Sequence, residues 1–374
     1  MLVSPVWENP RNRKLTLIKS RTLLFFVCLL AQSSVNADMT SHHPRADNHS
    51  PVGVMGGHGH GPGAVMVSYR RMEMAMDGNI LNGDHSASDA EITAQPNRFS
   101  AVSGQPSTLR VVPRKMDMVM HMFGMMYGVN DWLTLMPMIN YIQKDMDMTT
   151  YSSNCATCVR GTFSTSSHGF GDFKLNTILK LHKDEDEKLF VNLGIGFPTG
   201  DTDKKDHMLT PMGMRPLKTL PYSMQLGSGS YSFLPKLTYQ KRFNDVVLGA
   251  QYASTIYLNK NQDHYELGDK HEVSLWGSYS RTPAWSFSAR IKATNEDDIS
   301  GIDPDIVLPV QTADPNNFGG DFVDLIFGVN WIGQDLLRGH RLNLEIGGPI
   351  DEDYNGIQME KEWAITFGYQ KTFH

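Results

Sequence analysis

The chain contains 374 residues, with a formal net charge of −6 and 10% aromatic residues. Its 34 lysines and arginines are spread along the sequence beside 40 acidic residues, so there is no basic stripe that could neutralise a phosphate backbone. These properties exclude nucleic acid as a partner and leave the class of protein to be decided by patterns along the chain.

Residues 1–37 have the organisation of a secretory signal peptide. A basic region at 11–21 precedes an apolar stretch at 22–31, and Val35-Asn36-Ala37 supplies a small-residue cleavage site. The apolar stretch is about half the length of the roughly 20 residues that a membrane-spanning helix needs. We therefore predict export with removal of this segment, rather than a membrane anchor.

Residues 38–63 form a tract rich in histidine and glycine, which we predict to be a flexible N-terminal tail. It contains His42, His43, His49, His58 and His60. Such composition suits metal capture, with His58 and His60 as candidate ligands, but it suits a polar tail without a specific role equally well. The tail could bind ions in the periplasm or fold into a barrel lumen, and the sequence leaves both open.

From residue 64 onward, segments of about 10 residues alternate apolar and polar side chains, which is the pattern of membrane barrel strands. Within 285–294, for example, Phe287 would face one side and Ser288 the other. The predicted strands are 64–76, 112–128, 131–143, 169–182, 188–198, 231–243, 246–258, 270–281, 284–294, 322–332, 340–348 and 362–373. The pattern predicts an all-β fold, a closed antiparallel transmembrane β-barrel of about 12 strands over residues 64–374.

The connections between these strands alternate in length. The short ones are 129–130, 183–187, 244–245, 282–283 and 333–339, and the long ones are 77–111, 144–168, 199–230, 259–269, 295–321 and 349–361. Barrels of Gram-negative outer membranes have short periplasmic turns and long extracellular loops. We therefore predict that location, with both termini periplasmic. Because hydrocarbon offers no hydrogen-bond partners, the first strand must pair with the last.

The chain ends in WAITFGYQKTFH, with Trp363, Phe367 and Phe373 on one face of the last strand. This ending resembles the C-terminal insertion signal of bacterial outer-membrane proteins, although His374 follows the final aromatic residue. The resemblance implies that the barrel-assembly machinery is a partner, beside the lipids of the outer membrane.

Methionine is unusually frequent, with 22 in the chain. Alternation places two or more methionines on one face in each of three strands: Met72, Met74 and Met76; Met116, Met118, Met120 and Met122; Met136 and Met138. Thioethers are soft ligands for Cu(I) or Ag(I), and His121 could join them, but methionine also fills irregular interior space. An inward methionine face would leave His121 facing lipid, and the sequence does not resolve this conflict.

Cys155 and Cys158 lie three residues apart in a stretch rich in serine and threonine. In an oxidising compartment this spacing predicts a small loop disulfide, with a redox or metal site as the alternative.

Several charged residues fall on strand faces that we predict to line the lumen. Their role is either mutual salt bridging or tuning of solute passage. They are Arg70, Lys174, Lys180, Lys236, Arg290, Lys292 and Glu345.

The stretches at 120–142, 166–181 and 192–201 (NLGIGFPTGD) are similar to those of the outer-membrane barrel family of the phenol-degradation meta-pathway. The resemblance covers about residues 64–374. It implies passage of small, including aromatic, solutes across the outer membrane, and it supplies no catalytic residues.

Together these observations predict an outer-membrane channel or transporter for a small solute, linked to copper or silver handling and without a certain cofactor. The alternative is an outer-membrane protein that binds metal through methionine and histidine without transport. The chain lacks GxSxG, HExxH and GxxxxGK[ST] motifs, so we predict that it is not an enzyme, with a membrane-embedded hydrolase as the remaining enzymatic alternative. A barrel of this size has room for a lumen that is either open or plugged.

Overall fold

The computed structural model describes residues 45–373, which form an all-β protein. The predicted signal peptide and the first part of the predicted tail, with His42 and His43, lie outside the described residues. Within 45–373, α-helix is confined to α1, Asp89–Ala94. Short 3-10 helices lie at Ala46–Asn48, Tyr222–Met224, Gln311–Ala313, Pro315–Asn317 and Asp335–Leu337. No helix in this range is long and apolar enough to cross a membrane.

The strands follow the chain with few interruptions. They are β1 (Val65–Gly83), β2 (His85–Ser86), β3 (Val111–Gly128), β4 (Leu133–Ser152), β5 (Cys155–Phe170), β6 (Phe173–Lys183), β7 (Glu187–Phe197), β8 (Lys205–His207), β9 (Leu217–Thr219), β10 (Ser232–Phe233), β11 (Lys236–Phe243), β12 (Val246–Tyr257), β13 (Tyr265–Glu266), β14 (Lys270–Thr282), β15 (Trp285–Glu296), β16 (Ser300–Gly301), β17 (Gly320–Ile332) and β18 (His340–Phe373).

Eleven of these strands close into a ring of antiparallel pairs. The ring runs β1, β3, β4, β6, β7, β11, β12, β14, β15, β17, β18 and back to β1. Strand β2 pairs with β1, β5 pairs with β4, and β10 lies between β7 and β12. Strands β8 with β9 and β13 with β16 form separate small sheets. The prediction of a closed antiparallel barrel is confirmed.

The last part of the chain differs from the sequence prediction. We expected two strands, 340–348 and 362–373, but the structure has one strand of 34 residues, β18. Its first part pairs with β17, up to Tyr354 opposite Gly320. Its second part pairs with β1, ending with Phe373 opposite Val65. The predicted connection 349–361 therefore continues in strand conformation. The first residue of β1 and the last residue of β18 lie side by side at the same end of the barrel.

The barrel exposes apolar side chains and buries polar ones. On β15, Phe287 is 59% exposed, whereas the neighbouring Ser286 is fully buried and Arg290 is 6% exposed. The same inversion recurs on β17 and β18, where Phe327 and Leu344 are exposed. A soluble sheet would bury the apolar face, so this exterior is suited to contact with hydrocarbon.

Short turns join the strands at one end of the barrel, and polar side chains fix their shape. Asn244 takes a left-handed conformation, with φ of 53°, between β11 and β12, which is the geometry of tight hairpin turns. The side-chain oxygen of Asn130 accepts hydrogen bonds from the amides of Trp132 (3.0 Å) and Leu133 (2.9 Å). These local bonds explain why the chain reverses there without a long loop.

The connections at the other end fold into an apolar cluster, which we call the cap. Its loop residues are Phe99, Met208, Leu209, Leu220, Tyr222, Met224, Tyr265, Ile299, Ile306, Leu308, Val310 and Ala313. They pack against buried strand residues that include Met116, Met146 and Met148. The loops therefore form an ordered layer over the barrel.

Candidate functional site

The N-terminal residues 45–63, which we call the lumenal segment, lie inside the ring of strands. Ala46 is fully buried and Val54 is 5% exposed. Inward side chains from β4, β7, β11, β12 and β18 bind its backbone. Two side chains accept hydrogen bonds from backbone amides: Thr134 Oγ1 from His60 N (3.0 Å) and Glu345 Oε2 from Gly53 N (2.7 Å). Four side chains donate hydrogen bonds to backbone carbonyl oxygens: Asn192 Nδ2 to Gly56 O (3.2 Å), Gln240 Nε2 to Gly57 O (2.8 Å), Gln251 Nε2 to Met55 O (2.9 Å) and Arg341 Nη2 to Ser50 O (2.7 Å).

The structure does not show the flexible tail predicted for residues 45–63; it shows the alternative that the sequence left open, in which the tail folds into the barrel lumen. A composition rich in glycine and histidine favours a flexible tail, but the polar interior of a barrel needs hydrogen-bond partners, and an exposed backbone supplies them. Gly56 shows why glycine is required. Its φ is +80°, and a Cβ there would lie 2.3 Å from Asn192 Nδ2. Glycine therefore permits docking here rather than flexibility.

A buried ion pair anchors the start of the lumenal segment. The side chain of Asp47 has no exposed surface and receives hydrogen bonds from Arg242 at 2.7 and 3.2 Å. Arg45 adds two more, at 3.1 and 3.0 Å. Burial opposes the charged carboxylate, but hydrogen bonds and charge from Arg45 and Arg242 outweigh it and lower the pKa of Asp47.

Three histidines of the lumenal segment stack within the barrel. The ring centroids of His49 and His58 are 4.6 Å apart, and those of His58 and His60 are 5.4 Å apart. The buried Nδ1 of His49 and Nε2 of His58 have no hydrogen-bond partner. Burial, reinforced by nearby cations such as Arg341, lowers the pKa of His49 and His58 well below the usual value. Both rings are therefore neutral in the docked segment.

The methionines of β1 and β3 pair directly across the sheet on the inner face. Met66 lies opposite Met126, Met72 opposite Met120, Met74 opposite Met118 and Met76 opposite Met116; from β3 to β4, Met116 lies opposite Met146. We call this row the methionine track. His121 is on the outer face of β3, where its Nδ1 is 2.8 Å from the Tyr69 hydroxyl. The structure thus separates His121 from the track, because successive side chains leave a strand on opposite faces.

The two ends of the methionine track are buried and its middle is not. At the turn end, Met66, Met126, Met136 and Met138 pack with Ile178, Phe190 and Met55 of the lumenal segment. At the other end, Met116 and Met146 belong to the cap. Between them, the inward residues are only partly buried: Met72, Met74, Met118, Met120 and Met122. The middle of the track therefore lines a space between the lumenal segment and the cap.

Charged side chains line the same space from other strands. Lys270 and Glu272 point inward from β14, yet their side chains keep 37% and 31% of their surface exposed. Lower in the barrel, the pair of Arg290 and Glu345 (3.0 Å) is only 7% and 5% exposed, and Gly53 packs against it. We call the water-accessible space above the lumenal segment the chamber.

Ion pairs connect part of the chamber wall. Asp324 lies 2.9 Å from Lys292 Nζ and also contacts Lys361. Glu272 lies 3.7 Å from Lys292 and 3.9 Å from Lys270. Sequence analysis placed Lys292 in the lumen but missed the other four. The same alternation on β14 and β17 could have identified Lys270, Glu272 and Asp324, whereas Lys361 lies in the predicted connection 349–361.

Three predicted lumen residues have no ion pair. Among the described residues, no acidic side chain lies within ion-pairing distance of Arg70, Lys174 or Lys236, and the buried Nε of Arg70 lacks a hydrogen-bond partner. Lys180 lies opposite Phe190, near the turn end of β6 and away from the chamber. The predicted lumen residues thus divide into paired, unpaired and peripheral groups.

The cap is tied to the barrel by a lysine. Lys144 Nζ on β4 donates hydrogen bonds to the carbonyl oxygens of Ser223 (2.7 Å) and Gln225 (2.6 Å). These bonds hold the connection between β9 and β10 over the barrel. Cys155 and Cys158 form a disulfide at the start of β5, away from the chamber. Within residues 45–373, no group of three or more histidine, cysteine or acidic side chains has the arrangement of a metal site.

The fold resembles that of solved outer-membrane channels. An outer membrane channel from Pseudomonas putida F1 aligns with a TM-score of 0.52 and 15% identity, covering 83% of this chain and 96% of that chain. A mutant of the TodX monoaromatic hydrocarbon channel aligns with a TM-score of 0.41 and 11% identity, covering 84% and 91%. A FadL homologue from Pseudomonas aeruginosa aligns with 0.41 and 9%, covering 83% and 90%.

The first of these comparisons shows a common barrel fold. No protein-family model and no curated protein matches the sequence. The resemblance to the phenol-degradation family therefore stays a prediction.

Proposed function

We propose that this protein is an outer-membrane channel that controls the passage of a small solute. One observation carries the proposal: a closed barrel with an apolar exterior surrounds a polar, water-accessible chamber. Lipid requires the first property, and a path for solutes requires the second. A protein that only needed an anchor would have no use for a hydrated interior.

In the proposed barrel the chain crosses the membrane twelve times, and both chain termini are periplasmic. A ring in which every neighbouring pair is antiparallel needs an even number of passes. Eleven strands meet this requirement when β18 is counted twice, once beside β17 and once beside β1. Val65 and Phe373 are opposite each other, so the two ends share one side. Short turns typify the periplasmic side of such barrels, and that side is where the barrel-assembly machinery would act.

In this proposal the lumenal segment is the closed gate. The segment is bonded to five strands and fills the barrel between the chamber and the turn end. Inward residues that contact it, such as Asn192 and Gln240, are almost fully buried. Passage then requires this segment to shift. The resemblance noted from the sequence suggests a small aromatic solute, which fits a chamber with one wall of thioethers.

A liposome assay tests the proposal. Liposomes that contain the mature protein without residues 45–63, and so without the closed gate, should admit a small solute such as arabinose and swell faster than empty liposomes. Equal swelling rates would contradict a channel. Adding Ile291→Arg on the exterior gives the matched control, because a charge on the face that contacts lipid destabilises the inserted barrel and should reduce the swelling.

A second candidate function is the handling of a soft metal. The cross-strand methionine pairs favour it, because thioethers at adjacent positions can share Cu(I) or Ag(I). The unpaired cations of the chamber oppose it, because they repel a metal cation. Replacing Met116, Met118, Met120 and Met122 with leucine keeps volume and removes sulfur. Metal handling predicts loss of Ag(I) binding in that variant, and unchanged binding would reject it.

A further inference from the structure

We propose that the chamber binds small amphiphilic carboxylates, with the oxyanion held by Lys174, Lys236 and Arg70 and the apolar body against the methionine track. This inference rests on the proposed channel function and names its substrate class. It follows from two features that the channel function alone does not explain: an excess of cations in the chamber, and a row of thioethers that lies beside one of these cations, Arg70, on β1 and β3.

The excess of positive charge is clearest around Glu272. Lys174, Lys236, Lys270 and Lys292 all interact electrostatically with this one carboxylate, yet only Lys270 and Lys292 come within 4 Å of it. Asp324 is already shared by Lys292 and Lys361. Asp172 also interacts electrostatically with Lys174, but its carboxylate already accepts hydrogen bonds from Gly200 N (2.9 Å), Ser228 N (2.9 Å) and Ser228 Oγ (2.7 Å). These carboxylates are therefore engaged, and neither Lys174 nor Lys236 has an ion-pair partner among the described residues.

Arg70 adds a third cation from β1, where it lies opposite Met122. It interacts electrostatically with Lys236 and with Glu345, but Glu345 is already held by Arg290 at 3.0 Å. The buried Nε of Arg70 has no hydrogen-bond partner. Gathering like charges in a partly desolvated interior is costly unless a counter-charge is present. A carboxylate from a solute would supply this charge and accept hydrogen bonds from all three groups.

The thioethers next to Arg70 define the rest of the ligand. Met72, Met74, Met118 and Met120 form two cross-strand pairs on β1 and β3, and they line the chamber without being buried by protein. Thioethers pack favourably against aromatic rings and adapt to their shape. A ligand with a flat apolar body and one anionic head therefore matches both the cations and the thioethers, whereas a simple anion uses only the cations.

Equilibrium binding tests the inference without requiring transport. The mature protein in lipid nanodiscs is titrated with benzoate, with benzamide as the neutral isostere and acetate as the anion without an apolar body. Benzoate should bind at least ~10-fold more tightly than either, since a charge-assisted contact is lost in one case and the apolar contact in the other.

Variants then assign the contacts. Lys174→Gln with Lys236→Gln should weaken benzoate binding ~10-fold or more and leave benzamide unchanged. Lys174→Arg with Lys236→Arg keeps the charge and should restore binding, which separates loss of the site from loss of folding. Lys115→Gln, on the outer side of β3 in an exposed pair with Asp117, is the matched control and should have no effect.

The outcomes separate this inference from the channel proposal. Equal affinity for benzoate and benzamide, or unchanged benzoate binding in the Lys174→Gln, Lys236→Gln variant, overturns the carboxylate site, while solute-driven swelling would leave the channel standing. Lysine-dependent benzoate binding without any swelling supports the site and overturns passage through the barrel.

Discussion

Replacing Asp47 with alanine should release the lumenal segment from the barrel wall. The Asp47 carboxylate is buried and holds both Arg242 and Arg45 through four hydrogen bonds. Breaking a buried ion pair by removing one partner costs about 3–5 kcal/mol. Arg242 and Arg45 keep 14% and 29% of their surface exposed, so water would partly replace the lost partner. We therefore expect a loss of about 2–3 kcal/mol of docking free energy, which raises the undocked fraction roughly 30- to 150-fold.

Thiol labelling measures this fraction. Val54→Cys places a thiol of similar size at a buried position of the lumenal segment. Cys155 and Cys158 are joined in a disulfide and will not compete for the reagent. If labelling follows transient undocking, the rate at which a methanethiosulfonate reagent modifies Cys at position 54 should rise by the same factor in the Asp47→Ala background.

Asp245 provides the matched control for Asp47. Its carboxylate is 55% exposed and lies 3.4 Å from the Arg45 guanidinium, so Asp245→Ala should cost no more than about 1 kcal/mol. Labelling that is equally fast in the two variants would refute the reasoning, because it would mean that the buried pair contributes nothing beyond a surface contact.

Three further predictions follow from the same structure. Burial lowers the pKa values of His49 and His58, so both are neutral when docked; docking is therefore fully stable above the ordinary histidine pKa of about 6.5 and weakens as pH falls below it. The labelling rate at position 54, divided by that of free cysteine at the same pH, should rise from pH 7.5 to pH 5.5. The rise should be smaller in the His58→Gln variant. Ile291→Arg should destabilise the inserted barrel by about 2–4 kcal/mol in vesicle refolding, whereas Leu336→Arg, fully exposed in a turn, should not. Phe190→Ala should lower the free energy of unfolding by about 3 kcal/mol in a urea titration, since it opens a cavity between the strands and the lumenal segment; a change below 1 kcal/mol would contradict that packing.

The barrel could be predicted from the sequence because lipid imposes a strict rule on each strand. Residues such as Phe287 and Ser288 alternate with a period of two, and the side that each faces follows directly. The extent of β18 could not be predicted in this way. The connection at 349–361 has the polar composition of a loop, but pairing with β17 and β1 keeps it in strand conformation, and such pairing is a tertiary effect.

The interior was only partly predictable. Alternation placed Arg70, Lys174 and the methionines on inner faces, and the register then resolved which side of β3 faces inward and separated His121 from the track. The docking of residues 45–63 was only one of the alternatives that the sequence left open, because a tract of glycine and histidine has no periodicity that would decide between them. The order of these residues comes from partners far away in sequence, such as Gln240 and Arg341.

The most direct test of the account is the single-channel conductance of the mature protein beside a variant that lacks residues 45–63. If the lumenal segment closes a water-filled barrel, the intact protein in a planar bilayer should show small or rare conductance steps, and the deletion variant should show larger and sustained ones. Identical traces from two proteins that both insert would contradict the claim that this segment is the gate of a membrane channel.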